Sequence, residues 1–475
     1  MKLTCLLLLL PSLPLAAAET VLGAYIFHRH GDLFTSASWF RSRYVEANAT
    51  SPIHGIAASV PVLSQLSVTS PVDDTLQNSA QMFLLGLYPP AGSASAQRLA
   101  NGRSVEPPLG GYQAIPVNAV ATAASSGGAE DKTWLQGGSN CGLAILSSNK
   151  YFSSVSYLET LESTQDFYRS LLPVYNSTFA SSDASFKNAY AIYDYVHVST
   201  IHNASGTMPA NSLLTTDTLH QLQTRADQHE WALAYNSSEP VRAIAGAVLA
   251  GQVLEALEAT LRAPASQASA QRLTMQFGAY ATFMSFFGLA QAPAASPDFY
   301  GTVDYASSIV FELVTNATVG TAAVDPSDVH VRFLFANGSA SDANPPRAFP
   351  LFGRPEITLP WANFSTSMSA FAVDDTLAWC AACGNTTGTC AGYSKSSWSP
   401  SGSSGTASAG SPGSSGGGGV SRPVAGVIGA LATLVVILGV EAIVMAAAGL
   451  RLVRKRSSLG QMESPGPATA RSKAW

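Results

Sequence analysis

The chain has 475 residues, 47% hydrophobic and only 12% charged, about half the ~25% charged fraction of an ordinary soluble domain. Its 25 Lys and Arg against 30 Asp and Glu give a net charge of −5, which excludes a basic nucleic-acid binder, and the apolar content excludes a disordered polyelectrolyte. At roughly 100–200 residues per domain the length allows several domains, but both ends read as something other than globular.

From the N-terminus, residues 1–18 have the order of a secretory signal: Lys2, the apolar run Leu6 to Leu10, Pro14, then Ala16, Ala17 and Ala18 before Glu19. Val21 to Phe27 is a short apolar run ending in His28-Arg29-His30-Gly31, the pattern of a buried strand feeding a loop. Helical spacing follows at Thr75 to Leu87, Ser156 to Leu172, Leu213 to Tyr235 and Val241 to Arg262, and strand runs recur at Leu273 to Phe277, Ile309 to Leu313 and Val329 to Phe335. Strands separated by long helices predict an α/β layered core with the helix-rich middle inserted as a cap, and His30 at the carboxyl end of a strand, where such sheets bind ligands. Residues 394–423 collapse into a Ser/Gly-rich stalk, and 424–450 form an apolar span interrupted only by Glu441. Arg451, Arg454, Lys455 and Arg456 open the tail 451–475 and predict that it is cytoplasmic, which makes 19–393 the ectodomain of a single-pass type I membrane protein.

Eight Asn-x-Ser/Thr acceptors, at Asn48, Asn176, Asn203, Asn236, Asn316, Asn337, Asn363 and Asn385, all fall before the span, as export to a glycosylating compartment requires. Leaving out Cys5, the mature part holds Cys141, Cys380, Cys383 and Cys390, an even number that favours two disulfides over a zinc site, with the pairing open. No His lies beside Cys380 and Cys383 to complete a metal set, so neither metal nor cofactor is expected.

The chemistry-bearing segment is His28-Arg29-His30-Gly31-Asp32. An imidazole with one nitrogen available, a neighbouring guanidinium and a glycine that lets backbone approach a ligand are what phosphoryl transfer to histidine needs. The other histidines, His54, His197, His202, His220, His229 and His330, show no pairing pattern and read as surface or packing residues.

Phe27 to Asp32 resembles the Arg-His-Gly signature of the histidine acid phosphatases, in the phosphoglycerate-mutase-like superfamily. Further blocks resemble fungal members in the same order: Leu76 to Phe83 with Gly86-Leu87-Tyr88-Pro89, Ser148 to Phe167, Tyr305-Ala306-Ser307 with Phe311-Glu312-Leu313, and Trp379-Cys380 to Cys390. The resemblance covers about Val21 to Tyr393 and implies a three-layer αβα core with a helical cap. It also implies His30 as the nucleophile of a phosphohistidine intermediate and Arg29 as a phosphate ligand.

The remaining family positions depart from that pattern. The second signature arginine is Leu33, and the stretch from Leu33 to Trp39 is shorter than in relatives. The midchain arginine falls near Asp74. The late His-Asp pair, whose Asp would protonate the leaving oxygen, is replaced by Tyr280 and Ala281. General acid catalysis contributes roughly 10²–10⁴ in rate, and a transition-state arginine on the order of 10³–10⁵ where it has been measured. The expectation is therefore a cell-surface pseudophosphatase that retains some binding of phosphate or a phosphomonoester. Its rivals are a working acid phosphatase and a wall-associated adhesion protein.

Overall fold

The computed structural model of the chain describes residues 19–31, 37–120, 140–202, 210–387 and 390–391. The expected signal (1–18), stalk (394–423), span (424–450) and tail (451–475) lie outside the described residues, as do Leu33 and Asn203. The chain divides into two units after Ser399, and only the first contains described residues.

A mixed eight-stranded sheet forms the centre. Its main strands are β1 (Thr20–Arg29), β2 (Leu66–Pro71), β3 (Asn118–Val120), β4 (Leu273–Gly278), β5 (Ser308–Thr315) and β6 (Val329–Ala336). Two short edge pieces, β7 (Arg347–Ala348) and β8 (Thr358–Pro360), complete it. The order is β8-β6-β5-β1-β4-β2-β3, with β7 also on β6. β1, β4, β2 and β3 run parallel, whereas β5 pairs antiparallel with β1, so β1 is where the sheet changes sense. In β1, nine of ten residues are buried because both faces are covered, as the unbroken apolar run requires.

The period-two alternation of the strands feeds two cores. Tyr25, Phe27, Ile309, Phe311, Phe333 and Phe335 point into one layer, and Ala24, Ile26, Val310, Leu334, Met275 and Phe277 into the other. The first layer is closed by α5 (Ile244–Arg262), α6 (Tyr280–Leu289) and α7 (Trp361–Ser369), the second by α1 (Asp74–Leu87) and the turns at 38–45. Helices thus cover both faces of the sheet. Helix α1 begins as its sequence dictates: Asp73 accepts from the Leu76 backbone N–H at 3.1 Å, Asp74 sits in the first turn, and Pro89 follows the end. Helix α5 is buried almost all round, and Gly246 permits that, since a Cβ there would lie 2.4 Å from the Phe286 backbone nitrogen.

Between β3 and β4 the chain inserts the helical portion, with α2 (Gly142–Lys150), α3 (Ala189–His202) and α4 (Thr216–Ala234) and its own cluster of Tyr168, Tyr175, Phe186, Ile192 and Leu222. The single helix expected over Ser156 to Leu172 is instead three pieces, Val155–Ser163, Gln165–Ser170 and Leu172–Tyr175. Thr164 leaves helical geometry, and Pro173, which has no N–H to give, sits at the start of the third piece. α8 (Thr376–Cys383) returns to this region, and both disulfides form on it: Cys141–Cys383 and Cys380–Cys390. Cys380 and Cys383 belong to different bridges, which removes the zinc alternative.

Candidate active site

The carboxyl end of β1 delivers Arg29 and His30 to the switch point of the sheet, where a parallel and an antiparallel neighbour part. The loop is tied on three sides. The His30 N–H donates to the Gly278 carbonyl at the end of β4 (3.3 Å), the His30 carbonyl accepts from Ala306 N–H (3.0 Å), and Gly31 N–H donates to Ser79 Oγ on α1 (3.0 Å). Gly278 is needed there because a Cβ would run into the ring of Phe27.

His30 is buried, its Nδ1 lies 3.1 Å from the Gly31 carbonyl oxygen, and its ring meets Tyr305 edge-on at 5.4 Å. A carbonyl partner makes Nδ1 the protonated nitrogen and leaves the lone pair on Nε2, the tautomer a nucleophilic imidazole uses. His28, two residues earlier, is a packing residue. It lies between Phe83 (4.9 Å) and Phe277 (5.4 Å) with Nδ1 on the Arg29 carbonyl, and burial, opposed by that bond and reinforced by His30, pushes its pKa down to about 4.

Arg29 is buried and held by aromatic and polar groups of the cap and the loops. Its Nη1 donates to the Val303 carbonyl and its Nη2 to the Tyr190 hydroxyl at 2.8 Å, while its guanidinium carbon lies 4.0 Å from the Tyr305 ring centre and 5.2 Å from that of Tyr280. Such cation–aromatic contacts each contribute about 0.5–2 kcal/mol, more when desolvated as here. The tyrosines are themselves anchored by acids: Tyr305 donates to Asp194 at 2.7 Å, and Tyr280 donates to Glu230 at 2.8 Å. Asp227 and Asp304 are close enough that, after burial, their charges push the Tyr193 phenol up while Arg29 opposes them. Burial likewise raises the Asp227 carboxyl, against two hydrogen bonds from Thr302 at 2.8 and 2.7 Å.

Four other arginines, Arg242 and Arg272 buried and Arg43 and Arg332 partly so, are committed elsewhere. Arg43 and Arg332 both hold the fully buried Glu312, with contacts of 2.9–3.0 Å from Arg43 and 2.7 Å from Arg332 Nε. Arg242 serves Ser147 and the Ala232 carbonyl, and Arg272 the carbonyls of Pro264 and Ala265.

The structure therefore brings together Arg29, His30 and Tyr280, which opens α6, with Ala281 following it and packed partly buried on the core. Asp74 is exposed at the start of α1. Leu33 and Asp32 lie outside the described residues. One of the histidines read as surface or packing residues packs in the interior and also gains a partner. His229 is buried in a box of Tyr151, Phe152, Tyr157 and Phe186 and pairs through Nδ1 with Glu230 at 2.7 Å. It thus stands at the far end of a chain His229–Glu230–Tyr280–Arg29. Tyr190, Glu230 and Asp194 were not singled out by sequence. The recurrent tyrosines of the segment Tyr190, Tyr193 and Tyr195 were the signal available.

Against known proteins, the profile of the histidine phosphatase superfamily (branch 2) matches residues 30–336, more than half of the chain and the span from His30 to the end of β6. No curated protein matches. Among solved structures, the chain is similar to the phytase of Klebsiella sp ASR1 (10% identity, 76% of this chain and 97% of that one, TM-score 0.47). It is also similar to the Hafnia alvei phytase bound to tartrate (12%, 77% and 99%, 0.46) and to the Citrobacter braakii phytase (12%, 78% and 100%, 0.45).

Proposed function

The chain belongs to branch 2 of the histidine phosphatase superfamily, and from that premise we propose that it is a cell-surface, membrane-anchored, N-glycosylated member with impaired turnover and residual binding of phosphate or a phosphomonoester. The observation that carries this reading is the state of Arg29. A phosphate dianion is held by guanidinium forks presented to it. Here Nη1 and Nη2 donate to the Val303 carbonyl and the Tyr190 hydroxyl, and the cation lies against the rings of Tyr305 and Tyr280, whose hydroxyls donate in turn to Asp194 and Glu230. A cation engaged in this way favours phosphate weakly, and the family's late His-Asp pair is replaced by Tyr280, which donates a hydrogen bond to Glu230, and by Ala281 in the place of the acid.

A working acid phosphatase is the second reading. The tautomer of His30 favours it, since the lone pair on Nε2 is what attack on phosphorus requires.

Turnover of two substrates separates the readings. The purified ectodomain should hydrolyse an aryl phosphate slowly and an alkyl phosphate hardly at all, because an aryl leaving group needs little protonation. His30→Ala should abolish what remains. Robust hydrolysis of both at acidic pH overturns the impaired reading and establishes the phosphatase. Activity that survives His30→Ala rejects His30 as its source.

A further inference from the structure

Beside the Arg29 site, with Val303 as the shared wall, lies a cavity of about 580 Å³, within the roughly 300–1,000 Å³ range of small-molecule sites. Its lining is unlike an anion site: among the described residues, no Lys, Arg or His faces it. The carboxylates of Asp227 and Asp298, the amides of Gln223 and Gln228, and hydroxyls such as Thr224 offer donors and acceptors to a neutral, hydroxyl-rich ligand. Trp231 and the half-exposed Tyr300, edge to face at 4.8 Å, supply the aromatic surface on which the C–H face of a sugar packs.

Asn337 stands on the same wall, within the acceptor Asn337-Gly338-Ser339. Its Oδ1 accepts from Asp304 N–H (2.8 Å) and Ser307 O–H (3.1 Å), which fixes which end of the amide is oxygen, and its exposed side chain has no hydrogen bond to Nδ2 among the described residues. Gly338 at φ +81° turns the chain just beyond, so the acceptor sits on a tight surface turn. Of the other acceptors, Asn48, Asn176, Asn316 and Asn363 are exposed but none lines this cavity.

We propose that Asn337 carries an N-glycan whose first sugars fill this cavity, so that the chain's own carbohydrate closes the space beside the Arg29 site. The proposal rests on the reading of the protein as exported and glycosylated. In the modification, Asn337 Nδ2 bonds to the anomeric carbon of a lipid-pyrophosphate-linked oligosaccharide. The carbon–oxygen bond to pyrophosphate breaks, the lipid pyrophosphate leaves with that electron pair, and one amide proton passes to a base. The attached N-acetylhexosamine then lies against Trp231 and Tyr300, its hydroxyls and amide on Asp227, Gln223 and Gln228.

The test uses the full chain made in a eukaryotic secretory host, with occupancy read acceptor by acceptor by glycopeptide mass spectrometry. Release by an endoglycosidase is followed on the native protein, and hydrogen exchange is compared with Ser339→Ala, which removes the acceptor motif but leaves the Asn337 side chain in place. The expected result is an occupied Asn337 whose glycan is released at least tenfold more slowly than those on Asn48, Asn316 and Asn363. Exchange over 223–232 and 297–303 should be several-fold faster in Ser339→Ala. A glycan on Asn337 released as fast as the others with exchange unchanged overturns the seating, and so does an unoccupied Asn337 beside occupied neighbours; both leave export standing. No occupancy at any acceptor overturns the exported reading itself.

Discussion

His28 at the end of β1 and Asp227 on α4 respond to pH in opposite senses, and the difference is testable. His28 is enclosed between Phe83 and Phe277 and stays neutral, with a pKa near 4 against 6.5 for the free side chain. A folded-state value below the unfolded one means that the unfolded chain binds the proton first. The contribution of His28 is complete above pH 6.5 and is lost as pH falls towards 4, with a total on the order of 3 kcal/mol. Asp227 acts in the opposite sense: its raised carboxyl pKa favours the fold below the free value of 3.8 and loses that contribution as pH rises. We expect denaturant midpoints of the ectodomain to fall between pH 6.5 and 4.5, and His28→Asn to flatten that slope while lowering the plateau. An equal slope in both proteins would assign the acid sensitivity to other groups.

Tyr280 poses the converse question, whether a lost acid can be restored. Tyr280→His with Ala281→Asp should raise hydrolysis of an alkyl phosphate more than that of an aryl phosphate, measured as the ratio of the two rates. The change should also cost about 1–3 kcal/mol of stability, since it removes the hydrogen bond to Glu230 and the ring over Arg29 and puts a carboxylate where Ala281 packs on the core. An unchanged ratio would show that α6 does not present residue 281 to the leaving group. The sequence displays the substitution at these positions. It cannot display what Tyr280 does instead, because Tyr190 and Glu230 are brought to it from distant helices.

At the scale of elements, what was legible followed from burial. β1, β4, β5 and β6 are apolar runs because helices cover both sides of them, so a pattern of four to eight buried residues sufficed to find them. β2 reads Leu-Ser-Val-Thr-Ser-Pro, where adjacent polar residues at 69 and 70 and the closing Pro71 break the alternation, and it passes for a loop until β4 and β3 flank it in parallel. α3 escaped notice because Tyr190, Tyr193 and Tyr195 lack the spacing of one apolar face, and only Ala189, Ile192 and Val196 are buried. The even cysteine count predicted two bridges, but the pairing depends on α8 returning to α2, a tertiary fact.

That pairing gives the bridges unequal roles. Cys141–Cys383 spans 242 residues and encloses the whole helical insertion, whereas Cys380–Cys390 spans 10. By the chain-entropy relation the first is worth about 5.5 kcal/mol and the second about 2.7 kcal/mol. Cys141→Ser with Cys383→Ser should therefore lower the unfolding free energy by roughly 3 kcal/mol more than Cys380→Ser with Cys390→Ser, read from denaturant curves under non-reducing conditions. Equal losses would mean that local packing of α8, not closure of the long loop, sets the value of both.

For the whole molecule, the question is how much of the chain the fold needs. Two stretches are apolar enough to span a bilayer by composition, the segment 424–450 and the helical region Pro240–Arg262. The second is an internal element: 72% of its most apolar window is buried, and Leu249, Val253, Leu257 and Leu261 pack in the core beside β1 and α6. Its apolar surface is already matched by protein, so it gains nothing from lipid. Among the described residues, the four hydrophobic clusters draw on residues between Val21 and Cys383. On the proposed membrane-anchored reading, a chain cut between Ser394 and Gly419 should release an N-terminal part that remains in solution, keeps both disulfides and melts within about 2 °C of the intact protein, while the C-terminal fragment stays with the membrane. Scanning calorimetry of the two forms, with sedimentation of the cut membranes, makes the comparison. A fragment that aggregates on release, or melts well below the intact chain, would show that residues beyond the cut contribute to the fold and that the anchor is more than a tether.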